Sequence, residues 1–250
     1  MDSGVRRGAT AGEPEGGRPC RLSQRLPETG VANGTLSAEQ AAREQLVACG
    51  RDLLARGLLS QTSGNLSIRL PGDLVLITPS SMEYDLIEPS DIVLVRLDGS
   101  VVSGERKPSS ETPLHCLVYT ERPDVSAIVH THSPYATTLA VLGLPIPAVH
   151  YMIAIAGTNE IAVADYATFG TPELARNVRN AFPAPARAAL MANHGLIAGG
   201  RSLKDAASVA EAVETLAGLY YRALAVGTPV VLSASQMDDV MGKHRPRKRP

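Results

Sequence analysis

The sequence is poor in cysteine and has no excess of charge of either sign. Its 250 residues include three cysteines, which lie far apart and form no CxxC motif. A sparse, odd set of this kind indicates reduced thiols and predicts a cytoplasmic protein. The 24 basic residues are balanced by 25 acidic residues, for a formal net charge of -1, so no general electrostatic attraction for nucleic acid is expected.

Long apolar runs are also missing. No run approaches the roughly 20 residues that a membrane-spanning helix requires, and the N-terminal arginines are not followed by the apolar segment of a secretory signal. Hydrophobic residues nevertheless make up 44% of the chain and charged residues 20%, as in folded domains. The sequence therefore predicts a soluble globular protein that binds neither membrane nor nucleic acid and is large enough to fold without disulfides.

Composition divides the chain into a leader, one domain and a tail. Residues 1–35 are rich in Gly, Pro and Arg and hold few large apolar side chains, which predicts disorder; a docking segment is the alternative. Residues 36–240 contain no obvious linker and are predicted to form a single domain. Residues 241–250 form a short basic tail, interpreted as a solvated chain end, with a phosphate contact as the alternative.

Helix and strand signals alternate irregularly within the domain. Ser37 and Gln40 form a capping box that predicts the start of a helix. Asp98-Gly99 predicts a hairpin turn. Strands are predicted at 66–70, 74–78, 92–97, 127–131, 188–192 and 196–198, and helices after residue 110, at 135–142 and across 203–224. Because no regular βαβ rhythm is present, the pattern favours a mixed α/β sheet over a parallel one.

Histidine is the first residue type that points to chemistry. His130 and His132 stand at the end of an apolar strand, where residues two apart face the same side. Such a pair either converges on a metal ion or consists of two hydrogen-bonded histidines. His194 lies in a predicted turn, where Gly195 is able to supply a positive φ. Together the three imidazoles would form a site with an open fourth position, as in catalytic zinc centres; iron, cobalt and manganese are alternatives.

Small polar loops at strand and helix ends are the second feature. Ser109, Ser110 and Glu111 precede a predicted helix, whose N-terminus attracts anions; an ordinary helix cap is the alternative. The Ser63-Gly64-Asn65 and Ser80-Ser81 loops are turns if taken singly. Three such loops together would hold a phosphate through neutral donors.

These motifs, taken in order, resemble the class II aldolase/adducin family, over residues 38 to 240. The motifs are Gly64-Asn65, Thr78-Pro79-Ser80, Pro108-Ser109-Ser110-Glu111, His130-Thr131-His132 and Asn193-His194-Gly195. The resemblance implies a three-layer α/β/α domain around a mostly antiparallel sheet. It also implies a homotetramer with active sites between neighbouring subunits.

The resemblance further implies a role for each site residue. His130, His132 and His194 would bind Zn²⁺, and Glu111 would act as the acid and base and also as a metal ligand. Tyr151 would reach the aldehyde end of a substrate bound in the adjacent subunit. The phosphate would be held by Asn65, Ser80, Ser109 and Ser110, with Gly64 and Ser81 lining the loops.

The reaction that this resemblance implies is cleavage of a ketose 1-phosphate to dihydroxyacetone phosphate and an aldehyde. L-Fuculose 1-phosphate is the first candidate substrate, followed by pentulose and deoxy-sugar 1-phosphates. The alternatives are a sugar-phosphate 4-epimerase or dehydratase on the same scaffold and a non-enzymatic adducin-like interaction domain. Two features depart from the family pattern: Ser81 stands where related enzymes have glycine, and the tail has no tyrosine. His115, four residues after Glu111, is predicted to be a core histidine or a support for the site.

Overall fold

The computed structural model describes residues 31–244, with side chains described from residue 38 to residue 243. Its α-helices are α1 (Val31–Ala55), α2 (Thr112–Glu121), α3 (Pro134–Val141), α4 (Pro172–Ala181), α5 (Leu203–Val226) and α6 (Ala234–His244). Short 3₁₀ helices cover Pro89–Asp91 and Tyr151–Ala156. None of the helices in this part of the chain is both long and apolar enough to cross a membrane.

Most of the strands form one large sheet. In chain order they are β1 (Asn65–Leu70), β2 (Leu74–Ile77), β3 (Val93–Arg96), β4 (Val101–Ser103), β5 (Ala127–Thr131), β6 (Ile146–Pro147), β7 (Glu160–Ile161), β8 (Val163–Ala164), β9 (Ala188–Met191) and β10 (Gly195–Gly200). The eight-stranded sheet has the order β4-β3-β2-β1-β5-β10-β9-β8, while β6 and β7 pair separately. All neighbours in the large sheet are antiparallel except β8 and β9. The predicted mixed, mostly antiparallel α/β sheet is therefore confirmed.

Helices cover both faces of this sheet, so the domain has three layers. Successive residues of a strand face opposite sides, and in β5 the buried Val129 joins one apolar core while Ile128 joins the other. The first core includes α1, α3 and α5, and the second includes α2 and α4. The continuous apolar run of β5 is thus explained by burial on both faces.

The central strands and the hairpin of β3 and β4 lie where the sequence predicts them, but both ends of the domain differ from the prediction. Helix α1 begins at Val31, six residues before the predicted start at Ser37, because an N-cap preference of about 1 kcal/mol does not prevent a helix from extending further. Residues 31–35 of the predicted leader are therefore helical, whereas the rest of the leader lies outside the described residues.

The predicted basic tail also begins inside a helix. Helix α6 extends to His244, past the predicted domain end at residue 240. Ser233 and Gln236 cap it reciprocally, since each side chain accepts a hydrogen bond from the backbone N–H of the other. This Ser-x-x-Gln pattern is a capping box, and Met237 is buried in the first core. Residues 245–250 lie outside the described residues.

Helix α4 was missing from the sequence-based prediction. It begins with Pro172 directly after Thr171, whose hydroxyl accepts a hydrogen bond from the backbone N–H of Leu174. A capping threonine followed by proline is a recognisable helix start. This helix closes the second core next to α2 and ends the loop that approaches the candidate site.

Candidate metal and phosphate site

The three predicted histidines converge at one end of the large sheet. His130 is in β5 and His132 follows its end, while His194 lies in the turn between β9 and β10. Because Leu196 pairs with Thr131 across β10 and β5, this turn lies beside the end of β5. One ring nitrogen from each histidine lies within 4.8 Å of the others, and the Nε2 atoms of His130 and His132 are 3.0 Å apart.

The orientation of the rings suits a metal ion. The ring planes are inclined to one another by 70° to 77°, with centroids 4.9 to 5.0 Å apart. His130 Nδ1 lies 2.8 Å from the carbonyl oxygen of Leu196, to which it donates in the neutral ring. The lone pair of Nε2 is then directed towards the other two imidazoles, which is the arrangement that metal-binding histidines use.

Two residues beside His194 shape its turn, but not as predicted. The positive φ is adopted by Asn193, at 54°, rather than by Gly195. Gly195 is required for a different reason: a Cβ at this position would lie 2.4 Å from the carbonyl oxygen of Thr131 and 2.9 Å from Cδ2 of His132. The absence of a side chain thus lets β10 approach the end of β5 closely enough for the histidines to meet.

Glu111 closes the histidine cluster from the start of α2. It occupies the N-cap position without capping the helix; its carboxylate turns instead towards the imidazoles. Oε2 is 3.1 Å from His130 Nε2 and accepts a hydrogen bond of 2.8 Å from Asn65 Nδ2. Oε1 is buried without a hydrogen-bond partner, 3.4 Å from His194 Nε2. A buried carboxylate oxygen without a partner, beside three imidazoles, fits a bound cation.

Burial and charge act in opposite directions on the pKa values of Glu111 and His130. Burial opposes ionisation of Glu111, but His130, His194 and the hydrogen bond from Asn65 outweigh it and hold the pKa of this carboxyl well below its usual range. Burial likewise lowers the pKa of His130, but Glu111 reverses the shift and raises it. For His132 and His194, burial and the charge of His130 lower the pKa to about 4, so both imidazoles are neutral and able to bind a metal at neutral pH.

A cavity of about 350 Å³ opens in front of this cluster. Glu111, His132 and His194 line one part of it, while His130 is fully buried behind them. All the predicted phosphate-binding residues also line it: Gly64, Asn65, Ser80, Ser81, Ser109 and Ser110. Among the described residues that line the cavity, none is lysine or arginine. An anion there would therefore be held by neutral donors.

Backbone geometry explains how the polar loops meet. Gly64 has a φ of 83°, and a Cβ there would lie 2.5 Å from Leu59 Cδ2 and 2.6 Å from the carbonyl oxygen of His130. Ser81 also has a positive φ, of 58°, a conformation that favours glycine. The Ser109 hydroxyl accepts a hydrogen bond from the Glu111 N–H, which leaves its own hydrogen available to a ligand.

A chain of buried polar side chains lies behind Asn65. Asn65 Oδ1 is 2.6 Å from Nε2 of His115, and Nδ1 of His115 is 2.7 Å from the hydroxyl of Ser67. The Ser67 hydroxyl is in turn 2.7 Å from that of Tyr119. His115 therefore supports a residue of the cavity, as one of the two sequence-based interpretations held.

Two aromatic residues of the cavity were not assigned to the site from the sequence. Tyr166 and Phe169 are 62% and 65% exposed and line the cavity from the loop before α4. Gly170, with a φ of 75°, allows this loop to approach Ser110, whose carbonyl oxygen would be 3.0 Å from a Cβ at position 170. The signal available in the sequence was a pair of aromatic residues only three positions apart.

Tyr151 is not among the residues that line the cavity of its own chain. It is 51% exposed at the start of the 3₁₀ helix. The ring of His150 stacks on it, with centroids 4.7 Å apart. An extended segment would place these two neighbouring side chains on opposite sides, but the chain turns into the 3₁₀ helix at this point. Action of Tyr151 in an adjacent subunit stays a prediction.

Fold and site together define a class of protein, and comparison with known sequences agrees. The sequence profile of the Class II Aldolase and Adducin N-terminal domain matches residues 44–221. Because this match covers more than half of the chain, the chain belongs to the class II aldolase/adducin family. Its relatives are aldolases, and the predicted enzyme class, an aldehyde-lyase, is confirmed.

Two curated relatives and one solved structure show how similar the chain is to individual aldolases. The chain is 47% identical to a 5-deoxy-D-ribulose 1-phosphate aldolase of Bacillus thuringiensis serovar kurstaki, over 82% of this chain and 95% of the relative. It is 43% identical to an L-fuculose phosphate aldolase of Haemophilus influenzae, over 75% and 86% respectively. A solved L-fuculose 1-phosphate aldolase superposes with a TM-score of 0.79 and 43% identity, over 81% of this chain and 95% of that one.

Proposed function

We propose that the protein is a zinc-dependent aldolase that cleaves a ketose 1-phosphate reversibly to dihydroxyacetone phosphate and an aldehyde. One observation supports this most directly: a single cavity places converging imidazoles and Glu111 beside the loops that carry Ser80 and Ser109. One part of the cavity is suited to a metal ion and the other to a phosphate. A ketose 1-phosphate carries its reacting carbonyl and its phosphate on adjacent carbons, so it fits both parts at once.

The residues that would hold the metal are His130, His132 and His194, with Glu111 as a further ligand in the resting site. Three imidazoles with an open position are typical of catalytic zinc. The bound ion would supply Lewis-acid stabilisation of the negative charge that develops on the substrate oxygens. His130 is buried and held by its hydrogen bond to Leu196, so it would fix the position of the ion that it binds.

Neutral donors would bind the phosphate. Asn65, Ser80 and Ser109 each present a donor to the cavity, and Ser110 and the glycine-containing turn at Gly64 complete the loops. Hydrogen bonds to a charged group are stronger than those between neutral groups. A set of them therefore binds a dianion without a lysine or arginine side chain.

Glu111 would handle the proton of the reaction. In cleavage, the bond between C3 and C4 breaks, the C4 hydroxyl loses its proton, and C3 gains one to give dihydroxyacetone phosphate. Oε1 of Glu111 has no hydrogen-bond partner in the fold, so the ionised carboxylate would remove the proton from C3 in the condensation direction. In cleavage it would take up the proton that the C4 hydroxyl releases and deliver it to C3. Asn65 keeps Oε2 in place meanwhile.

Among ketose 1-phosphates, we place 5-deoxy-D-ribulose 1-phosphate before L-fuculose 1-phosphate, which reverses the order expected from the motifs. Two relatives whose names include 5-deoxyribulose 1-phosphate are each 47% identical to this chain, compared with 43% and 40% for fuculose phosphate aldolases. Both sugars end in a methyl group, and the rings of Tyr166 and Phe169 offer apolar surface for it. The aldehyde products would be acetaldehyde and lactaldehyde respectively.

A cytoplasmic homotetramer with sites between subunits is part of the same proposal. It is supported by the exposed position of Tyr151, away from the cavity of its own chain. A phenol is suited to donate to or accept from the oxygen of the aldehyde. Such a role requires a neighbouring subunit to bring Tyr151 to the cavity.

The decisive experiment measures dihydroxyacetone phosphate and aldehyde released from both sugar phosphates. The protein is assayed as isolated, after chelation, and after return of zinc, with metal content measured by mass spectrometry. The variant His132→Ala removes one imidazole of the cluster, and His244→Ala, at the end of α6, is the matched control. We expect release to require zinc, to be lost in the first variant and to persist in the second.

Product analysis also separates the alternatives. Only an aldolase yields two fragments; an epimerase returns an isomeric sugar phosphate, and a dehydratase forms water. Failure to cleave any ketose 1-phosphate, with zinc bound in the measured preparation, would refute the proposal. The phosphate part is tested by Ser109→Ala, with the exposed Ser90→Ala as control. A roughly tenfold to hundredfold rise in KM is expected from the loss of one hydrogen bond to a charged group.

A further inference from the structure

An unbroken chain of hydrogen bonds leads from the core of the domain to the candidate site. It joins Tyr119, Ser67, His115, Asn65 and Glu111 through contacts of 2.7, 2.7, 2.6 and 2.8 Å in that order. The first three of these residues are inaccessible to solvent, and Asn65 and Glu111 are 5% and 4% exposed. The chain runs only between β1 and α2, so it connects two elements that both supply residues to the cavity.

Donor and acceptor can be assigned at every bond of this chain by starting from Glu111. A carboxylate only accepts hydrogen bonds, so the group of Asn65 that faces Glu111 must be the amide nitrogen. The amide oxygen therefore faces His115 and needs a donor. Nε2 of His115 must carry its hydrogen to supply one.

The donors and acceptors deeper in the core are assigned in the same way. Burial lowers the pKa of His115 to about 3, so the ring is neutral and Nδ1 is a bare acceptor. The Ser67 hydroxyl must then donate to Nδ1, and its oxygen accepts from Tyr119. Burial raises the pKa of the Tyr119 phenol far above its ordinary value, which keeps this terminal donor protonated. Each group donates once towards Glu111.

We infer that His115 is a positioning residue that locks the side-chain amide of Asn65 with its nitrogen towards Glu111 and the cavity. Asn65 lines the cavity, and only one of its two N–H bonds is used by Glu111. The second N–H is thereby left for an anion in the cavity. If the amide were turned over, its oxygen would face both the Glu111 carboxylate and the anion, which repel it.

The inference rests on the proposed function only for the identity of that anion as a sugar phosphate. Two amide substitutions test the inference. Each places an amide group where one of the two imidazole nitrogens lies in the wild type, and the two variants replace different nitrogens. Gln in place of His115 retains a donor at the position of Nε2, next to Asn65. Asn in its place retains an acceptor at the position of Nδ1, next to Ser67, but loses the donor to Asn65.

The holoenzyme variants His115→Gln and His115→Asn are compared with wild type in KM, kcat and inhibition by inorganic phosphate. We expect His115→Gln to stay within about threefold of wild type. For His115→Asn, KM and the inhibition constant of phosphate should both rise roughly tenfold to hundredfold, the effect of misdirecting one hydrogen bond to a charged group. Metal content should be unchanged. Equal losses in the two variants, or an unchanged phosphate constant in His115→Asn, would overturn the inference.

A measurement on the wild-type protein covers the case in which a variant does not fold. Long-range ¹H–¹⁵N NMR correlations of the imidazole nitrogens distinguish the two neutral forms of His115. A hydrogen on Nε2 is expected, and a hydrogen on Nδ1 would contradict the lock. This spectrum does not depend on turnover, and neither does the dissociation constant of inorganic phosphate when it is measured by titration calorimetry on the same proteins. If no ketose 1-phosphate is cleaved, the proposed function fails while the positioning role of His115 is still measured.

Discussion

Asn65 lies directly opposite His130 in the antiparallel pairing of β1 with β5. A residue of the phosphate loops and a residue of the histidine cluster are thus joined by one strand register. A shift of that register by one residue would turn one side chain away from the other, because neighbouring residues of a strand face opposite sides. The spacing between Asn65 and His130 is therefore set by the sheet.

Gly64 allows the close approach of β1 to β5 on which this register depends. Its replacement should therefore lower both stability and activity. In Gly64→Ala the methyl group would meet Leu59 and the carbonyl oxygen of His130, in addition to the cost of a positive φ. Gly72→Ala is the matched control, since its φ is 79° but no atom lies within 4 Å of the added Cβ. We expect Gly72→Ala to lower the free energy of unfolding by about 1 kcal/mol and to keep activity.

For Gly64→Ala we expect a loss of about 3 kcal/mol or more, since overpacking adds about 1 to 3 kcal/mol to the backbone cost. Urea unfolding and the aldolase assay measure the two effects. Similar stability losses in the two variants would show that only backbone strain, and not contact with His130, makes glycine necessary at position 64.

Gly195→Ala should act on metal affinity. The added Cβ would approach the carbonyl oxygen of Thr131 and the ring of His132, so one imidazole must move away from the other two. We expect zinc affinity to fall by a factor of about 10 to 100, the range seen when the support of a metal ligand is lost. Competition with a chromophoric chelator measures it.

Gly227→Ala serves as the control for that substitution. Gly227 follows α5 with extended backbone, and nothing lies within 4 Å of a Cβ there. Its zinc affinity should equal that of the wild type. Unchanged zinc affinity in Gly195→Ala as well would mean that the histidine cluster tolerates displacement of β10, contrary to the packing described above.

The sequence was most informative where local pattern and long-range structure agree. Strand β5 was predicted with its observed ends because four of its five residues, Ala127, Ile128, Val129 and Thr131, are apolar or β-branched and Ser133-Pro134 follows shortly after. Convergence of His130 and His132 followed from strand geometry. That His194 joins them did not follow from spacing, since it lies 62 positions after His132 in the chain. Its motif made it a candidate and the family resemblance assigned it to the metal; in the structure it is brought there by the pairing of β5 with β10.

Features without a local signature were missed. The approach of Phe169 to the cavity depends on Gly170 packing against Ser110, a contact between segments 60 residues apart in the chain. The role of Gly195 was assigned to a turn conformation because glycine allows one, whereas close packing is what requires it. Which residue needs a positive φ is decided by the path of the whole turn, and here it is Asn193.

Acid should destabilise the protein partly through His115. Its folded-state pKa is lowered to about 3 by burial, while in the unfolded chain it is near 6.5. The unfolded chain therefore takes up a proton first as pH falls. The contribution of neutral His115 is complete above pH 6.5 and is lost progressively towards pH 3, with about 2 kcal/mol lost between pH 7 and 5 by proton linkage.

Comparison of wild type with His115→Gln isolates this contribution. Both metal-free proteins are unfolded by urea at pH 7 and pH 5, and the variant should lose about 2 kcal/mol less over this interval. His132 and His194 are common to both proteins and cancel in the difference. Equal acid losses would show that His115 is accessible to protons in the folded state.

Tyr151 should complement a defect in a different subunit. Glu111→Gln and Tyr151→Phe are each expected to be severely impaired, since a general acid or base contributes about 10² to 10⁴ in rate. If Tyr151 acts on the cavity of a neighbour, subunits of the two variants that are unfolded together and reassembled should form some complete sites. In a random mixture roughly one site in four combines an intact Glu111 with an intact Tyr151 from the adjacent subunit. Each variant reassembled alone is the control and should regain nothing. Absence of recovery in a mixture that has reassembled to the size of the wild-type oligomer would place both residues in the site of one subunit, or remove Tyr151 from the reaction.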